Sequence, residues 1–208
     1  YGGSTCLVKA SIGGQMKAAD YGVNGGWGGP RTTKALVNQF ADAITTKNSN
    51  GNPTGWSDKR AMFFTPGQTY EINNVGTFGE GYAVYKWSNK RSDGKASNDA
   101  TGEFVDTDVP VIRLAEVYLN YAEAVLRGGA GGDRATALGL INQLRTRGYG
   151  NVSGNITDGQ LNLDFILGER SREMYWEGTR RTDLIRFKKY VSGYDWPFKG
   201  GVQNGTSV

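Results

Sequence analysis

The strongest constraint on the fold is a long apolar segment in the second half of the sequence. From Ile112 to Leu126, apolar side chains cover most of the circumference of a helix, which is typical of a central helix of the fold. The string "GGAGG" follows, and glycine tolerates the left-handed backbone that ends a helix. Asp133 is placed to cap a second helix extending to Arg147. Because the connection is short, the two helices are predicted to pack as an antiparallel hairpin of the tetratricopeptide kind.

A second helical hairpin is predicted farther along the chain. One helix is expected from about Asp164 to Glu177, where Gly178 stops it, and the next from Thr179 or Arg180 to about Tyr190. The part of the chain after residue 109 is therefore predicted to be predominantly helical.

The first part of the chain has a different amino-acid composition. It is rich in glycine, asparagine and threonine, and the whole sequence contains 32 glycines, about twice the usual share. One helix is predicted over Thr33–Thr45, because apolar residues recur there at intervals of three and four. Short strands are predicted over Ala61–Thr65, Thr69–Ile72 and Gly81–Trp87.

These patterns predict a mainly α fold with irregular loops, a few short strands and tetratricopeptide-like helical hairpins. Residues 1–109 are interpreted as a loop-rich variable segment that carries a ligand-binding surface. Residues 110–208 are interpreted as the helical core segment, and we expect the two segments to combine in a single domain.

Composition excludes several kinds of chemistry. The chain has no histidine and one cysteine, Cys6, so serine-histidine and cysteine-histidine catalysis, an intrachain disulfide and a thiolate metal cluster are ruled out. The net charge of +4 is small for a nucleic-acid-binding domain, so no nucleic-acid partner is predicted. No run of about 18 uncharged apolar residues, as in a membrane span, occurs.

The segment "GERSREMYWEGTRRTDLIRF", Gly168 to Phe187, is unusually rich in charge and raises three alternatives: a reaction centre, a polyanion-binding strip or an internal brace. Its glutamates lie at positions i, i+4 and i+8 on one helical face, about 6 Å apart per turn, a separation that suits a retaining glycosidase pair. Neighbouring arginines lower carboxylate pKa values, however, and disfavour a general acid. Without histidine the glutamates are also a poor di-metal site. We therefore predict an ion-pair brace formed by Glu169, Glu173, Glu177, Arg180, Arg181 and Arg186.

No cofactor is predicted. The acidic strings "SDGKASND" and "EFVDTD" leave calcium as an alternative, but neither has the twelve-residue spacing of an EF-hand. Solvated loops are the favoured interpretation.

Several strings, in the same order, resemble the SusD/RagB family of glycan-binding outer-membrane lipoproteins of the Bacteroidetes. They are "VPVIRLAEVYLNYAEA", "ALGLINQLRTR", "ILGERSREMYWEGTRRTDLIRFKKY" and "YDWPFKGG". The resemblance is dense from Asp108 to Gly201 and looser before it. Family members are typically longer and begin with a lipidated cysteine, so this chain is expected to be a C-terminal-half fragment.

The resemblance implies a non-catalytic protein at the surface of the outer membrane that captures oligosaccharides or polysaccharides for nutrient uptake. It would deliver them to a SusC-type TonB-dependent transporter and be held to the membrane by a lipid anchor absent from this chain. Two alternatives stay open: a helical-repeat scaffold that binds a protein partner, and, more distantly, a glycoside-active enzyme.

A glycan site needs exposed aromatic rings for stacking and polar side chains beside them. Loop context suggests three groups of candidate residues: Trp27 with Asn24 and Arg31, Trp56 with Asn52 and Asp58, and Tyr70 with Gln68. Each aromatic is equally able to serve as the anchor of its own loop.

Overall fold

The structure, a computed structural model, describes residues 4–95 and 97–191, which form two compact units. The first unit contains residues 4–35 and 62–109, and the second contains Leu36–Ala61 and residues 110–191. The helices of the described part are α1 (Thr5–Lys9), α2 (Lys34–Val37), α3 (Leu114–Leu126), α4 (Arg134–Tyr149), α5 (Leu163–Met174) and α6 (Arg180–Arg186). The strands are β1 (Ile44–Lys47), β2 (Pro53–Trp56), β3 (Phe63–Phe64) and β4 (Ala83–Val84).

The first unit is built mostly from loops around a small core. Strands β3 and β4 pair antiparallel, with Phe63 opposite Val84. The core residues come from α1, the loops after it and β4: Val8, Ile12, Met16, Val23, Ala83 and Val105. Such a small core leaves much of the backbone in loops, in keeping with the glycine content of this part of the sequence.

The second unit consists of the β1–β2 hairpin and the helices α3 to α6. Strand β1 pairs antiparallel with β2, and Ile44 lies opposite Trp56. Helix α3 packs against α4 and α5 through a core of apolar side chains. The buried members are Ala115, Leu119, Ala122, Ala137, Ile141, Leu144, Ile156, Leu161, Ile166 and Met174.

Local signals explain where helix α4 begins and ends. The Asp133 carboxylate accepts a hydrogen bond from the Thr136 N–H at 2.8 Å, as an N-cap should. Gly150, with φ at 75°, ends the helix in the left-handed conformation, so the helix continues to Tyr149, two residues beyond the predicted end at Arg147. The helical hairpin formed by α3 and α4 is therefore confirmed.

The mainly α fold class is confirmed, but individual elements differ from their predicted bounds. The helix expected over Thr33–Thr45 is α-helical only over Lys34–Val37, continues as a 3₁₀ helix over Asn38–Ala43, and then gives way to β1. The strand expected over Thr69–Ile72 is reduced to an isolated bridge between Thr69 and Glu80.

Helix α3 is buried on one face within the described residues. Leu114 and Val117 are exposed, although Ala115, Leu119 and Ala122 on the opposite face are buried. Within 4–95 and 97–191, no helix combines the length and the apolar character needed to cross a membrane.

Candidate functional site

The loop Asn24 to Arg31, in the first unit, lies directly on the chain that follows α1. The Trp27 N–H donates to the Lys9 carbonyl at 2.8 Å, and the Gly28 N–H donates to the Ile12 carbonyl at 2.9 Å. Gly26 permits this approach, since a Cβ at that position would collide with the Ile12 carbonyl oxygen. These two hydrogen bonds hold the backbone of the loop in place, while the Trp27 side chain remains exposed to solvent.

Three exposed aromatic side chains are linked to this loop. Trp27 is 59% exposed, Phe78 58% and Phe104 48%. The Arg31 guanidinium lies over the Phe78 ring, 5.1 Å from its centroid. Phe104 follows Glu103, whose carboxylate accepts a hydrogen bond from the Asn24 amide at 3.0 Å. We define Trp27, Phe78 and Phe104 as the loop aromatic surface.

Arg31 is held by backbone carbonyls of its own unit. Its Nε donates to the Glu80 carbonyl at 2.6 Å, and its two terminal nitrogens donate to the carbonyls of Gly29 at 2.5 Å and Val75 at 2.9 Å. Burial lowers the pKa of Arg31, and the nearby Glu80 carboxylate partly offsets this. These bonds fix the plane of the guanidinium, so that Phe78 has a rigid stacking partner.

The candidates Tyr70 and Gln68 belong to the same unit and are both half-buried. The ring of Tyr70 packs against that of the buried Tyr82, with centroids 6.0 Å apart and planes at 56°. This contact fits the anchoring alternative for Tyr70 and leaves part of its ring exposed.

The candidates Trp56, Asn52 and Asp58 belong to the second unit, so the structure does not gather all predicted glycan residues on one unit. Trp56 is half-buried at the end of β2, and Asn52 is half-buried. Asp58 is only 1% exposed, and its carboxylate receives the Arg60 guanidinium at 2.7 Å. The proposal of Asp58 as a ligand-binding residue is therefore wrong, because its oxygens are buried in an ion pair.

The glutamates of α5 lie at the centre of a buried ion-pair network. Glu169 is fully buried and pairs with Arg60 at 2.7 Å, Arg145 at 2.9 Å and Arg172 at 2.7 Å. Three guanidinium groups thus surround one carboxylate and supply the hydrogen bonds that a buried charge requires.

Glu173 lies one turn farther along α5, Glu177 lies three residues beyond the end of the helix at Met174, and both extend the network. Glu173 receives Arg60 at 3.0 Å, Arg113 at 2.5 Å and Arg147 at 2.5 Å. Arg113 also pairs with Glu177 at 2.7 Å. We call Glu169, Glu173, Glu177 and their arginine partners the glutamate network.

The predicted arginine partners need correction. Arg180 donates to the Leu167 carbonyl, Arg186 pairs with Glu123 and Asp183, and the guanidinium of the exposed Arg181 lies over the Tyr190 ring. The arginines that enclose the glutamates come from elsewhere in the second unit, namely Arg60, Arg113, Arg145, Arg147 and Arg172. The reason is that Arg180 is directed to the backbone of α5 and Arg186 to the Glu123 carboxylate of α3, instead of to the α5 glutamates.

The network keeps its carboxylates ionised. Burial raises the pKa of Glu169, but the attraction of Arg60, Arg172 and Arg145 outweighs it and lowers the pKa to about 2. For Glu173, burial is likewise outweighed by hydrogen bonds from Arg147 and Arg113, and its pKa also falls to about 2. Neither group holds a proton near neutral pH, so neither can act as a general acid there.

In the acidic segments for which calcium is the alternative, the Asp99 carboxylate already accepts hydrogen bonds from within its own loop. The Asp99 carboxylate accepts from the N–H of Phe104 at 2.7 Å and from the hydroxyl and N–H of Thr101, which lowers its pKa to about 2. Among residues 4–95 and 97–191, no cluster of three or more acidic, histidine or cysteine residues is arranged to hold a metal ion.

Comparison with known proteins decides the family. The model of the SusD family matches residues 45–207. The chain belongs to the SusD family. It is 44% identical over 139 residues to the starch-binding protein SusD of Bacteroides thetaiotaomicron, a match that covers 66% of this chain and 23% of that protein. It is 29% identical over 141 residues to a SusD-like protein of Bacteroides ovatus, covering 64% of this chain and 24% of that protein. The chain thus spans about a quarter of the length of these relatives.

The SusD-family match includes the whole second unit from β2 onward, and with it the glutamate network. Trp27 precedes the matched region, whereas Phe78 and Phe104 lie within it. The string "YDWPFKGG" contributed to the resemblance and lies outside the described residues.

Sequence reasoning missed Phe78 and Phe104. Phe78 stands beside Gly79, close to Gly76, and so carries the signal that singled out Trp27, an aromatic residue in a glycine-rich loop. Phe104 follows a glycine-containing polar loop. No local signal marks Arg60 as a partner of Glu169, because 109 positions separate them.

Proposed function

We propose that this protein is a non-catalytic glycan-binding protein of the bacterial cell surface that captures oligosaccharides and delivers them to a SusC-type TonB-dependent transporter in the outer membrane. Membership in the SusD family supports this proposal, and the name of one relative includes starch binding. The observation that carries it in this chain is the loop aromatic surface.

The geometry of that surface suits a sugar ring. The faces of sugar rings present C–H groups that stack on aromatic rings, and the hydroxyl groups at the rim need polar partners. Trp27 offers an exposed indole on a fixed backbone, and Asn24 and Arg31 lie in the same loop. Because the backbone is already held by Lys9 and Ile12, little ordering entropy is lost on binding.

The proposal that the protein is non-catalytic is based on the burial and ionisation of Glu169 and Glu173. A glycoside hydrolase needs one protonated carboxyl group and one carboxylate on opposite sides of a cleft. Glu169 and Glu173 are buried, ionised and enclosed by arginines, which supports a structural role.

Isothermal titration with a linear malto-oligosaccharide tests the proposal, since one relative is named for starch binding. We expect weak, measurable binding that is lost in Trp27→Ala and retained in Val152→Ala, an exposed apolar residue of the second unit. A second arm uses Trp56→Ala, because Trp56 is the alternative aromatic platform. If none of a panel of neutral and acidic oligosaccharides binds the wild-type chain, the glycan-binding proposal fails. Release of reducing ends during incubation would instead support an enzyme.

A further inference from the structure

The carboxylate of Glu103 lies at the loop aromatic surface, next to Phe104 in the sequence. Its side chain is 56% exposed. The Oε2 atom pairs with the Lys9 ammonium at 2.9 Å and accepts a hydrogen bond from the Asn24 amide at 3.0 Å. Among residues 4–95 and 97–191, no group donates a hydrogen bond to Oε1. One oxygen of the carboxylate is thus held within the first unit, and the other is available to a donor from outside it.

Lys9 connects this carboxylate to the loop that carries Trp27. The Lys9 carbonyl accepts a hydrogen bond from the Trp27 N–H at 2.8 Å, and the ammonium group of the same residue pairs with Glu103. Lys9 is only 4% exposed, so its side chain has little freedom to move. A backbone hydrogen bond of 3.1 Å from the Asn24 N–H to the Gly102 carbonyl joins the same two loops again. The loop of Trp27 and the loop of Glu103 are therefore held together at two points.

Two cations linked to this surface are already engaged by oxygen atoms of the protein. Lys9 also donates to the Asn24 Oδ1 atom at 2.9 Å, and all three nitrogens of the Arg31 guanidinium donate to backbone carbonyls. Asp99, whose carboxylate accepts a hydrogen bond from the Phe104 N–H at 2.7 Å, adds a second negative charge close to Glu103. The surface therefore presents carboxylate oxygens, which accept hydrogen bonds from hydroxyl groups and repel another anion.

We propose that Glu103 binds a hydroxyl group of the glycan through Oε1 and restricts the loop aromatic surface to neutral oligosaccharides. This role rests on the proposed function, because it names the class of glycan that the surface takes. A carboxylate makes a stronger hydrogen bond to a hydroxyl group than an uncharged acceptor does. Because Lys9 and Asn24 hold Oε2, the carboxylate is oriented before the ligand arrives, and little ordering of its side chain is needed on binding. A uronic acid or a sulfated sugar would bring a further negative charge to the place where Glu103 and Asp99 oppose it.

Titration calorimetry with a matched pair of ligands tests this role. The pair is maltohexaose and maltohexaose whose primary hydroxyl groups have been oxidised to carboxylates. We expect the wild type to bind the neutral ligand at least about tenfold more tightly than the oxidised one. Glu103→Gln is expected to weaken binding of the neutral ligand about 3- to 10-fold and to reduce the preference to less than about threefold. Asp20→Asn, which removes another exposed carboxylate of the same unit, is the control and should change neither value.

Lys9→Met distinguishes hydroxyl binding from a purely structural role of the ion pair. This variant breaks the same Lys9–Glu103 pair that Glu103→Gln breaks, but it retains the carboxylate. If the carboxylate contacts the glycan, Lys9→Met keeps the preference of about tenfold for the neutral ligand, even where its melting temperature falls.

Equal weakening of both ligands in Glu103→Gln and in Lys9→Met would assign the ion pair to loop stability and overturn the proposed contact. Binding of the oxidised ligand by the wild type as tightly as the neutral one would overturn the restriction to neutral glycans and leave glycan binding itself intact. If the wild type binds neither member of the pair, the role of Glu103 also fails, whereas the proposed function is decided by the wider panel of oligosaccharides.

Discussion

Arg60 and Glu169 form an ion pair of 2.7 Å inside the second unit, although 109 positions separate them in the sequence. The Arg60 guanidinium also donates to the carboxylates of Asp58 and Glu173, and its backbone carbonyl accepts a hydrogen bond from the buried Tyr175 hydroxyl at 2.6 Å. Through these contacts the segment after β2 is attached to α5. The position of the hairpin that carries Trp56 thus depends on the glutamate network.

Replacing Arg60 by methionine is expected to destabilise the protein strongly. The change leaves Asp58, Glu169 and Glu173 each short of a buried partner, which costs about 3–5 kcal/mol in the free energy of unfolding. Urea denaturation followed by circular dichroism measures the change. Arg181→Ala is the control, because Arg181 is exposed, and we expect it to change the unfolding free energy by less than about 1 kcal/mol. Equal losses in both variants would contradict the central place of Arg60.

The free energy of unfolding is expected to decrease as the pH falls through the range in which Glu169 and Glu173 take up protons. In the folded protein their pKa values lie at about 2, below the usual value of 4.5 that they regain on unfolding. The unfolded state therefore binds more protons in this interval, so the stabilisation is present above about pH 4.5 and is lost as the pH falls towards 2. Urea titrations at a series of pH values measure this slope. The slope should be shallower in Glu169→Gln, and an unchanged slope would show that other groups control acid unfolding.

Gly25 and Gly26, which precede Trp27, allow a matched pair of substitutions to alanine. A Cβ at Gly26 would lie 2.5 Å from the Ile12 Cβ, whereas a Cβ at Gly25 would meet nothing within 4 Å. We expect Gly26→Ala to displace the loop, lower the melting temperature and weaken glycan binding, and Gly25→Ala to leave both nearly unchanged. Differential scanning fluorimetry and isothermal titration test the pair. Weakened binding in Gly25→Ala alone would indicate that the ligand reaches the loop at Gly25 rather than at the indole.

Phe78 gives a separate test of the loop aromatic surface. Its ring is exposed and stacked beneath Arg31, so Phe78→Ala is expected to weaken glycan binding about 2- to 10-fold, the equivalent of about 0.5–1.5 kcal/mol. Phe78→Tyr retains the ring and should bind as the wild type does. Titration calorimetry with the oligosaccharide that binds the wild type measures both. Full affinity in Phe78→Ala would limit the site to Trp27 and its own loop.

The helical half was predictable because its signals are local. Apolar periodicity, the Asp133 cap and the glycines after α3 and α4 each act within a few residues, and the α3–α4 hairpin forms as expected. The exposure of Trp27 also follows from local context, since glycines on both sides give its ring few neighbours. The partners of Glu169 were not predictable in this way. Two of them, Arg60 and Arg145, reach α5 only after the chain has folded back on itself.

The strand prediction over Thr69–Ile72 was wrong for a related reason. Its residues have strand propensity, but within the described residues Thr69 alone of this segment forms a β-bridge, with Glu80. Strand propensity describes how well the side chains of a segment fit an extended backbone, whereas a strand also needs a second strand to pair with along its length.

The separation of Arg60 and Glu169 in the sequence also affects when the second unit is able to fold during translation. While the chain is being translated, the guanidinium of Arg60 leaves the ribosome long before either α5 glutamate has been made, and non-local contacts of this kind slow folding. The second unit is therefore expected to reach its native packing only after α5 has emerged from the ribosome.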